Sequence, residues 1–318
     1  MVLSVLTVSP NLPACLNGSK LAEKLSTKPH TDKSVSAPTR QPLLDLLDAL
    51  QCPSCQSEKT SWQSTGDHDA LFSNNSSLLC VSCAKEFRVR EGYLDLCPDY
   101  EEDITPIQHL LQFRPAIAVY DRIWRPFGYF ITSSRSFRKD LNRITALMEP
   151  KKHRLILDLA CGPGNFTRSV AESGPGTIVV GLDLSRQMIE RAVELTGRQS
   201  AKNVYYIRGS ALSLPFKSNT FDGVICCGAL QLFTNYDQAL AEISRVLKIE
   251  GEFVCQTVGC PGNAPLWLKL ADGVMRFGYF QLEDFKQQLS ELQLSTLCEE
   301  RSKLSYIFRA KKIGGSPV

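Results

Sequence analysis

No stretch of about eighteen uncharged apolar residues occurs in the 318-residue chain, and its longest apolar pieces, such as Leu155 to Leu159 and Val224 to Cys227, are strand-sized. That excludes a transmembrane helix. Net charge is also scarce: 36 Lys and Arg against 33 Asp and Glu leave +3, too little for bulk electrostatics to draw in nucleic acid or a membrane surface. The opening apolar segment Met1 to Val8 has no basic residues ahead of it and so does not read as a secretory signal. Histidine is rare, with only His30, His68, His109 and His153. What remains is an ordinary globular composition, 43% hydrophobic and 22% charged with 20 Gly and 17 Pro. At this length it supports two domains and a core that needs no disulfide staples.

The first forty residues are rich in Ser and Thr and carry Lys20, Lys24, Lys28, Lys33 and Arg40 against Glu23 and Asp32. That composition fits a solvated tail, and equally an organelle transit peptide. The expected location is cytoplasmic, or plastid if this segment targets the chain there. Pro29, Pro38 and Pro42 interrupt the polar run, so folding is expected to begin near Leu43, with a short helix over Pro42 to Leu50. The expected organisation is a tail over 1–41, a small ribbon over 42–98, a linker and helical cap over 99–150, and an α/β domain over 151–318.

Two Cys-x-x-Cys knuckles, Cys52 to Cys55 and Cys80 to Cys83, are separated by 24 residues that carry Gly66, Asn74, Asn75 and several Ser, which predicts turns rather than a helix. Each knuckle brings two thiolates to one ion, and four thiolates close a tetrahedral zinc shell with no position left for chemistry. The zinc is expected to be structural. A disulfide reading requires an oxidising compartment, for which no signal argues, and His68 reads as a loop residue because four sulfurs already complete the shell. The strand-like Lys85 to Arg90, the turn Glu91-Gly92 and Tyr93 to Leu96 finish the ribbon. Beyond an acidic linker over Asp99 to Asp103, the segment His109 to Leu147 carries Phe113, Tyr120, Trp124, Phe127, Tyr129 and Phe130 among arginines. It reads either as helices packed on the next domain or as a cap over a ligand site.

From His153 onward short apolar runs alternate with amphipathic stretches, the pattern of a parallel α/β sheet. Seven strands are expected, at Arg154 to Leu159, Thr177 to Leu182, Asn203 to Arg208, Phe221 to Cys227, Glu252 to Thr257, Leu294 to Glu299 and Ser305 to Ala310. Helices are expected from Ser185 to Leu195 and from Tyr236 to Lys248, each with one apolar face. The first strand runs into Asp158-Leu-Ala-Cys-Gly162-Pro-Gly164, where glycines permit a tight turn and close approach to a ligand ahead of a helix N-terminus. A dinucleotide fingerprint would want a small residue where Thr167 stands. Asp158 instead suits the cationic amino group of a cofactor bearing an amino acid. Asp183, at the end of the second strand, can accept both hydroxyls of a ribose. Leu214 and Phe216 read as plain core or as pocket lining.

The run from Leu155 to Ala310 resembles the class I S-adenosylmethionine-dependent methyltransferases of the methyltransferase-11 type. The motifs that carry this are Asp158-x-Ala-Cys-Gly-x-Gly, Gly181-Leu-Asp-x-Ser, Leu-Pro-Phe-x-x-x-x-Phe-Asp222 and Glu242-Ile-Ser-Arg-Val-Leu-Lys-x-x-Gly251. With the upstream ribbon the chain is similar, over about residues 50 to 310, to a group of plant chloroplast and cyanobacterial methyltransferases. It is more distantly similar to bacterial rRNA guanine methyltransferases that also carry a zinc ribbon. The resemblance implies a seven-stranded Rossmann-like sheet with a four-cysteine zinc ribbon and S-adenosylmethionine as cofactor. It assigns Gly162 and Gly164 to the methionyl part, Asp158 to the amino end, Asp183 to the ribose, and Leu184 and Met188 to the adenine or ribose. Ala160, Ser210, Ala211 and Cys227 complete the set, and Tyr120 closes over it from the cap. Many members carry an acid where this chain has Ser210, so a hydroxyl or backbone contact must serve there.

A sulfonium methyl donor is already activated, so the protein's main task is alignment. Several relatives carry a His near the position of Gln231, whereas this chain has none there and no general base can be named. That favours an acceptor that is already nucleophilic. Gln231 reads as a substrate orienter or as part of a helix start. The first hypothesis is a small-molecule methyltransferase acting on N, C or O of a metabolite such as a natural product, pigment or quinone. Its pocket would be roofed by residues 105–147 and by Cys260 to Phe280, with Trp267, Met275, Phe277 and Tyr279, a segment that equally suits a packing helix. The alternative is an rRNA methyltransferase that grips RNA with the ribbon, but Gln51 to Cys97 holds Lys59, Lys85, Arg88 and Arg90 against Glu58, Asp67, Asp69, Glu86, Glu91 and Asp95. That charge balance does not attract phosphates. A degenerate, non-enzymatic cofactor binder is the third reading, supported by Ser210 and opposed by the intact glycine loop and Asp183.

Overall fold

A computed structural model describes residues 40–64, 72, 74–97, 133–199, 201–260, 266, 269, 270 and 279–314. The first helix, α1 (Arg40–Asp48), leads into the cysteine-bearing segment. Four short strands follow, β1 (Thr60–Ser64), β2 (Ser76–Cys80), β3 (Glu86–Arg90) and β4 (Tyr93–Asp95). They form an antiparallel meander, and Phe87 and Val89 of β3 turn inward while Glu86, Arg88 and Arg90 face solvent, the alternation of a sheet with one wet side.

The larger unit opens with α2 (Phe137–Met148) and continues as β5 (Leu155–Leu159), α3 (Asn165–Ser173), β6 (Ile178–Asp183), α4 (Arg186–Gln199), β7 (Val204–Arg208) and β8 (Phe221–Cys227). Then come α5 (Tyr236–Val246), β9 (Leu247–Cys260), β10 (Phe280–Gln281), α6 (Leu282–Glu291), β11 (Leu294–Ser302) and β12 (Ser305–Lys312). The strand order is β1-β2-β3-β4-β7-β6-β5-β8-β9-β12-β11, with β10 paired to β9. β5 to β9 run parallel, and β12 returns antiparallel against β9. The seven expected strands are therefore β5 to β9, β11 and β12. Parallel strands covered by helices on both faces read as continuous apolar runs, which is why each was visible in sequence. The chain leaves β5 towards β6 and β7, then crosses back to β8 on the other side, so the sheet's switch point lies at the carboxyl ends of β5 and β8.

The helices follow from their apolar stripes and caps. Ser185 Oγ accepts the Met188 amide at 3.4 Å ahead of α4, whose buried face carries Met188, Ile189, Ala192 and Thr196. Asn235 caps α5 by accepting the Gln238 amide at 3.1 Å. α5 ends at Val246, two residues before the expected Lys248, because Leu247 pairs with Phe221 and starts β9.

The ribbon does not stand apart from the α/β unit. β4 pairs in parallel with β7, Tyr93 opposite Tyr206 and Asp95 opposite Arg208, so the meander extends the main sheet. A second seam joins the ribbon's base to the loop after β7: Leu50 bridges to Phe216, the Gln51 amide donates to Pro215 O at 3.0 Å, and the Lys217 amide donates to Ala49 O at 2.8 Å. The rings of Trp62, Phe72 and Tyr205 pack in a tilted row that joins the ribbon to β7, with centroids 5.6 and 5.0 Å apart.

Several expectations fall wholly or partly outside the described residues: the tail before residue 40, the acidic linker Asp99 to Asp103, Tyr120 with the cap before residue 133, His68, and Trp267, Met275 and Phe277. Phe280 is described and is buried, its ring packed against Tyr236 and Phe285 at centroid distances of 4.8 and 4.6 Å.

Candidate functional site

The site is built at the carboxyl edge of β5 to β8, where the ends of parallel strands leave helix N-termini and loops facing one crevice. Asp158, buried, is the penultimate residue of β5, and the chain turns just after the strand: Ala160, Gly162 and Gly164 all take left-handed backbone, at φ 53°, 55° and 74°. Gly164 cannot be replaced by a larger residue without disturbance. A Cβ there would lie 2.3 Å from the Tyr206 hydroxyl and 3.0 Å from an Arg168 nitrogen. The loop is held by its own α3, since Arg168 donates to Pro163 O at 2.7 Å and to Asn165 Oδ1 at 2.8 Å.

The two carboxylates named from sequence come together here. Asp183, at the end of β6, accepts the Gly162 amide on Oδ2 at 2.8 Å and the Ser185 amide on Oδ1 at 2.9 Å, so it ties the glycine loop to the start of α4. Asp158 accepts the Thr167 hydroxyl at 2.5 Å and makes no ion pair among the described residues. Burial pushes the Asp158 carboxyl up to about 7 against the pull of the Thr167 hydrogen bonds, and the neighbouring Asp183 adds to the rise. Burial also raises Asp183, opposed by the amides of Ser185, Gly162 and Leu184. A desolvated carboxylate with no direct ion pair among the described residues, only the more distant pull of Arg168, beside a loop of left-handed glycines, fits a ligand that brings a positive charge.

Leu184 and Met188 continue from Asp183 into α4, Leu184 half-buried and Met188 buried. Ser210 and Ala211 follow the end of β7, both buried, and Ser210 Oγ accepts the Leu212 amide at 3.1 Å. Cys227 ends β8. Its thiol is driven well up by burial and then by Asp158, so it is a small neutral group and not a nucleophile. Every residue expected to contact the cofactor except Tyr120, which lies outside the described residues, thus lies at or next to one sheet edge. Gln231 is otherwise engaged: its Nε2 donates to Gly228 O at 3.0 Å and its Oε1 accepts the Thr257 hydroxyl at 3.0 Å, leaving its amide committed to the loop.

Asp140, in the first turn of α2, was not singled out from sequence. It is 0% exposed, and its Oδ2 accepts Ser133 Oγ at 3.3 Å and Gln256 Nε2 at 3.2 Å. Its Oδ1 has no hydrogen-bond partner among the described residues, Arg135 lying 3.8 Å away. Burial raises its carboxyl above the usual range, against Arg135 and Ser133. Gln256 pairs with Cys227 across β8 and β9, so this carboxylate stands next to the strand ends on the side away from Asp183. The readable signal was a charged residue within the apolar stripe Phe137, Leu141, Ile144, Met148.

The other recognisable motif residues are fasteners. Asp222 accepts the Arg154 and Leu155 amides at 2.8 and 2.9 Å and pairs with Lys248 at 2.7 Å, at the opposite end of the sheet. Glu242 accepts the Leu214 amide at 2.6 Å, and Arg245 donates to Phe216 O at 2.6 Å, so α5 holds the Leu-Pro-Phe loop.

In the ribbon, the ligating atoms of Cys52, Cys55, Cys80 and Cys83 all lie within 4.8 Å of one another, with Cys52 to Cys83 at 3.7 Å and Cys55 to Cys80 at 3.6 Å. A regular tetrahedron with metal–sulfur bonds of about 2.3 Å has edges of about 3.8 Å. The donor set therefore fits one zinc ion.

Residues 157–255 match a family model described as a methyltransferase domain. The chain is 35% identical over 137 residues to a demethylmenaquinone methyltransferase of Lactococcus lactis, covering 38% of this chain and 54% of that protein. It spans 65% of the length of the corresponding Listeria welshimeri protein, also at 35% identity. An uncharacterized chloroplastic methyltransferase of Arabidopsis thaliana is 27% identical over 265 residues, 79% of this chain and 72% of that one. Among solved structures, phosphoethanolamine N-methyltransferase 2 of Haemonchus contortus with S-adenosyl-L-methionine superposes with a TM-score of 0.51 at 22% identity, over 62% of this chain and 46% of that one. At that identity the likeness is one of fold.

Proposed function

We propose that this chain, a member of the methyltransferase domain family through residues 157–255, transfers a methyl group from S-adenosylmethionine to a nucleophilic atom of a small-molecule acceptor. The observation that carries the reading is Asp158, buried without an ion pair among the described residues at the mouth of a left-handed glycine loop and across from Asp183. When bound, S-adenosylmethionine supplies a methyl already activated on a sulfonium, so the protein need not activate the donor.

Asp158 receives the cofactor's ammonium, and Gly162 and Gly164 let the backbone approach the methionyl chain. Asp183 accepts the ribose hydroxyls, and Leu184, Met188, Ser210 and Ala211 line the base. Ala160 and Cys227 close the floor near the reacting centre. Asp140 faces the acceptor side, where its Oδ1, ion-paired with Arg135 at 3.8 Å but without a hydrogen-bond partner among the described residues, would take the proton that the acceptor gives up as the new bond to the methyl group forms. An electron-rich ring is the leading acceptor class, in keeping with the demethylmenaquinone methyltransferases among the relatives. The four cysteines hold a structural zinc. The ribbon's charge balance, four basic side chains against six acidic ones over Gln51 to Cys97, argues against RNA as acceptor. Residence in the cytoplasm is the simplest reading, and a plastid is the second, given the chloroplastic relative.

The test is calorimetric titration of the zinc-loaded protein with S-adenosylmethionine and S-adenosylhomocysteine beside Asp183→Ala, followed by labelled-methyl transfer to quinols, other small acceptors and total RNA. Micromolar binding that the variant loses supports the reading. A folded wild-type chain that binds neither compound overturns it, and transfer to RNA alone overturns the acceptor class.

A further inference from the structure

We infer that the zinc ribbon is part of the cofactor site: the metal-bearing knuckle and β4 hold the two loops that receive the adenosine, so zinc and cofactor bind with positive coupling. The inference rests on the proposed cofactor and metal, and goes beyond both in joining them.

Two independent seams carry it. The first knuckle is flanked by Gln51 and Gln56, which bond to each other at 2.9 Å. Gln56 Nε2 reaches Ser213 Oγ at 2.9 Å, Gln51 Nε2 reaches Leu214 O at 3.3 Å, and the Gln51 amide holds Pro215 O. The segment thus clamped is the continuation of Ser210 and Ala211. Zinc fixes Cys52 and Cys55, and with them the positions of the two glutamines on either side.

The second seam runs through β4. Asp95 is 1% exposed and faces three guanidinium groups: Arg208 at 3.1 Å, Arg186 at 3.3 Å and Arg90 at 3.8 Å. Arg208 in turn donates its Nε to Leu184 O at 3.0 Å and its Nη1 to Cys97 O at 2.5 Å. Leu184 follows Asp183, and Arg186 opens α4. A single buried carboxylate of the ribbon therefore sets the charge partner of both residues that orient the ribose loop. Beneath it, Tyr93 of β4 packs in one apolar cluster with Cys161, Ile189, Ala192 and Tyr206, and Tyr206 is the residue against which Gly164 is pressed.

A ribbon that served only to contact substrate would need no such buried connection, because binding modules joined through solvated linkers leave the partner domain's loops unchanged. Here removal of zinc frees the knuckle, loosens Gln51 and Gln56, and weakens the pairing that keeps Asp95 against Arg208. By linkage, whatever factor zinc contributes to cofactor affinity, cofactor must contribute to zinc affinity.

The experiment uses the full chain. S-adenosylhomocysteine affinity is measured by calorimetry on zinc-loaded wild type, on zinc-stripped wild type, on Asp95→Asn and on Gln56→Asn. The last keeps a residue that tolerates the left-handed backbone at position 56 (φ 58°) but is one carbon too short to reach Ser213. Zinc affinity of the wild type is then read by competition with a chelating dye, with and without S-adenosylhomocysteine. We expect about tenfold weaker binding on zinc removal and in Asp95→Asn, about threefold in Gln56→Asn, and tighter zinc retention by the same factor as zinc removal costs the cofactor. Since Gln56 is exposed and the dye competition needs no variant, the inference stays testable if Asp95→Asn or the stripped protein fails to fold. Wild-type binding within twofold of Gln56→Asn, together with zinc retention unchanged by S-adenosylhomocysteine, overturns the coupling. No binding to zinc-loaded wild type rejects the proposed function instead.

Discussion

Replacing Gly164 by alanine places a methyl group where two separate penalties meet. The residue sits at φ 74°, a left-handed conformation that costs a side-chain-bearing residue about 1–2 kcal/mol. The new Cβ also lies 2.3 Å from the Tyr206 hydroxyl, which cannot swing aside because it is buried and shares a 2.9 Å hydrogen bond with Thr196. Overpacking of that kind costs about 1–3 kcal/mol, for a total of about 2–5 kcal/mol. Tyr206→Phe alone loses only the hydrogen bond, about 1 kcal/mol. In the double variant the hydroxyl is gone and the nearest Tyr206 atom, the ring carbon at 3.1 Å, needs to yield only slightly. The steric share is relieved while the backbone share stays. Urea unfolding of the four zinc-loaded proteins should therefore show the double variant more stable than the sum of the single losses by about 1–3 kcal/mol. Additivity to within about 0.5 kcal/mol would refute the steric account and leave backbone strain as the sole reason for glycine at this position.

Two further outcomes concern the carboxylates. Asp158 titrates near 7 when folded, above the value of about 3.9 for an unfolded aspartate, so the folded state holds the extra proton between the two. Its contribution to stability is complete below about pH 4 and is lost as pH rises towards 7. Binding a cationic ammonium requires the ionised form, so S-adenosylhomocysteine affinity should rise with pH and level off above about 7. At pH 6 the binding enthalpy should vary with buffer ionisation enthalpy, reporting close to one proton released, and a buffer-independent enthalpy would contradict the assignment. Asp140→Asn keeps the hydrogen bond from Gln256 geometrically feasible but removes the base. The turnover number should fall by about 10²-fold with cofactor affinity within twofold of wild type, and an unchanged pH–rate profile in the variant would remove Asp140 from the reaction.

The sheet was legible because its strands are short apolar runs between amphipathic helices, and the glycine loop because glycine takes left-handed backbone without a side-chain penalty, so two of them so close together mark a tight turn. Asp158 and Asp183 could be named since strand ends in such sheets converge on one edge. Other features had no local signature. Tyr93-Leu-Asp95 says nothing of which edge it will join, and its pairing with β7 depends on residues more than a hundred positions away. Gln231 stood at the right place but its amide is occupied by Gly228 and Thr257, a fact of packing that no spacing reveals. The length of β9 is likewise set by its partners: Phe221 claims Leu247 at one end, and Gly259 and Cys260 pair with β10 at the other.

The parallel seam between β4 and β7 also bears on how the protein avoids self-association. In a bare sheet of this kind β7 would be an outer strand with a row of unsatisfied amides and carbonyls, flanked by the aromatic faces of Tyr205 and Tyr206, a template for recruiting another chain. The ribbon closes that edge and hands the role of border to β1, whose sequence Thr-Ser-Trp-Gln-Ser is polar and largely solvated. A four-cysteine ribbon that looks like an accessory thus acts as a guard strand, and a chain trimmed to its α/β portion would gain a sticky border along with the loss of its cysteine cluster.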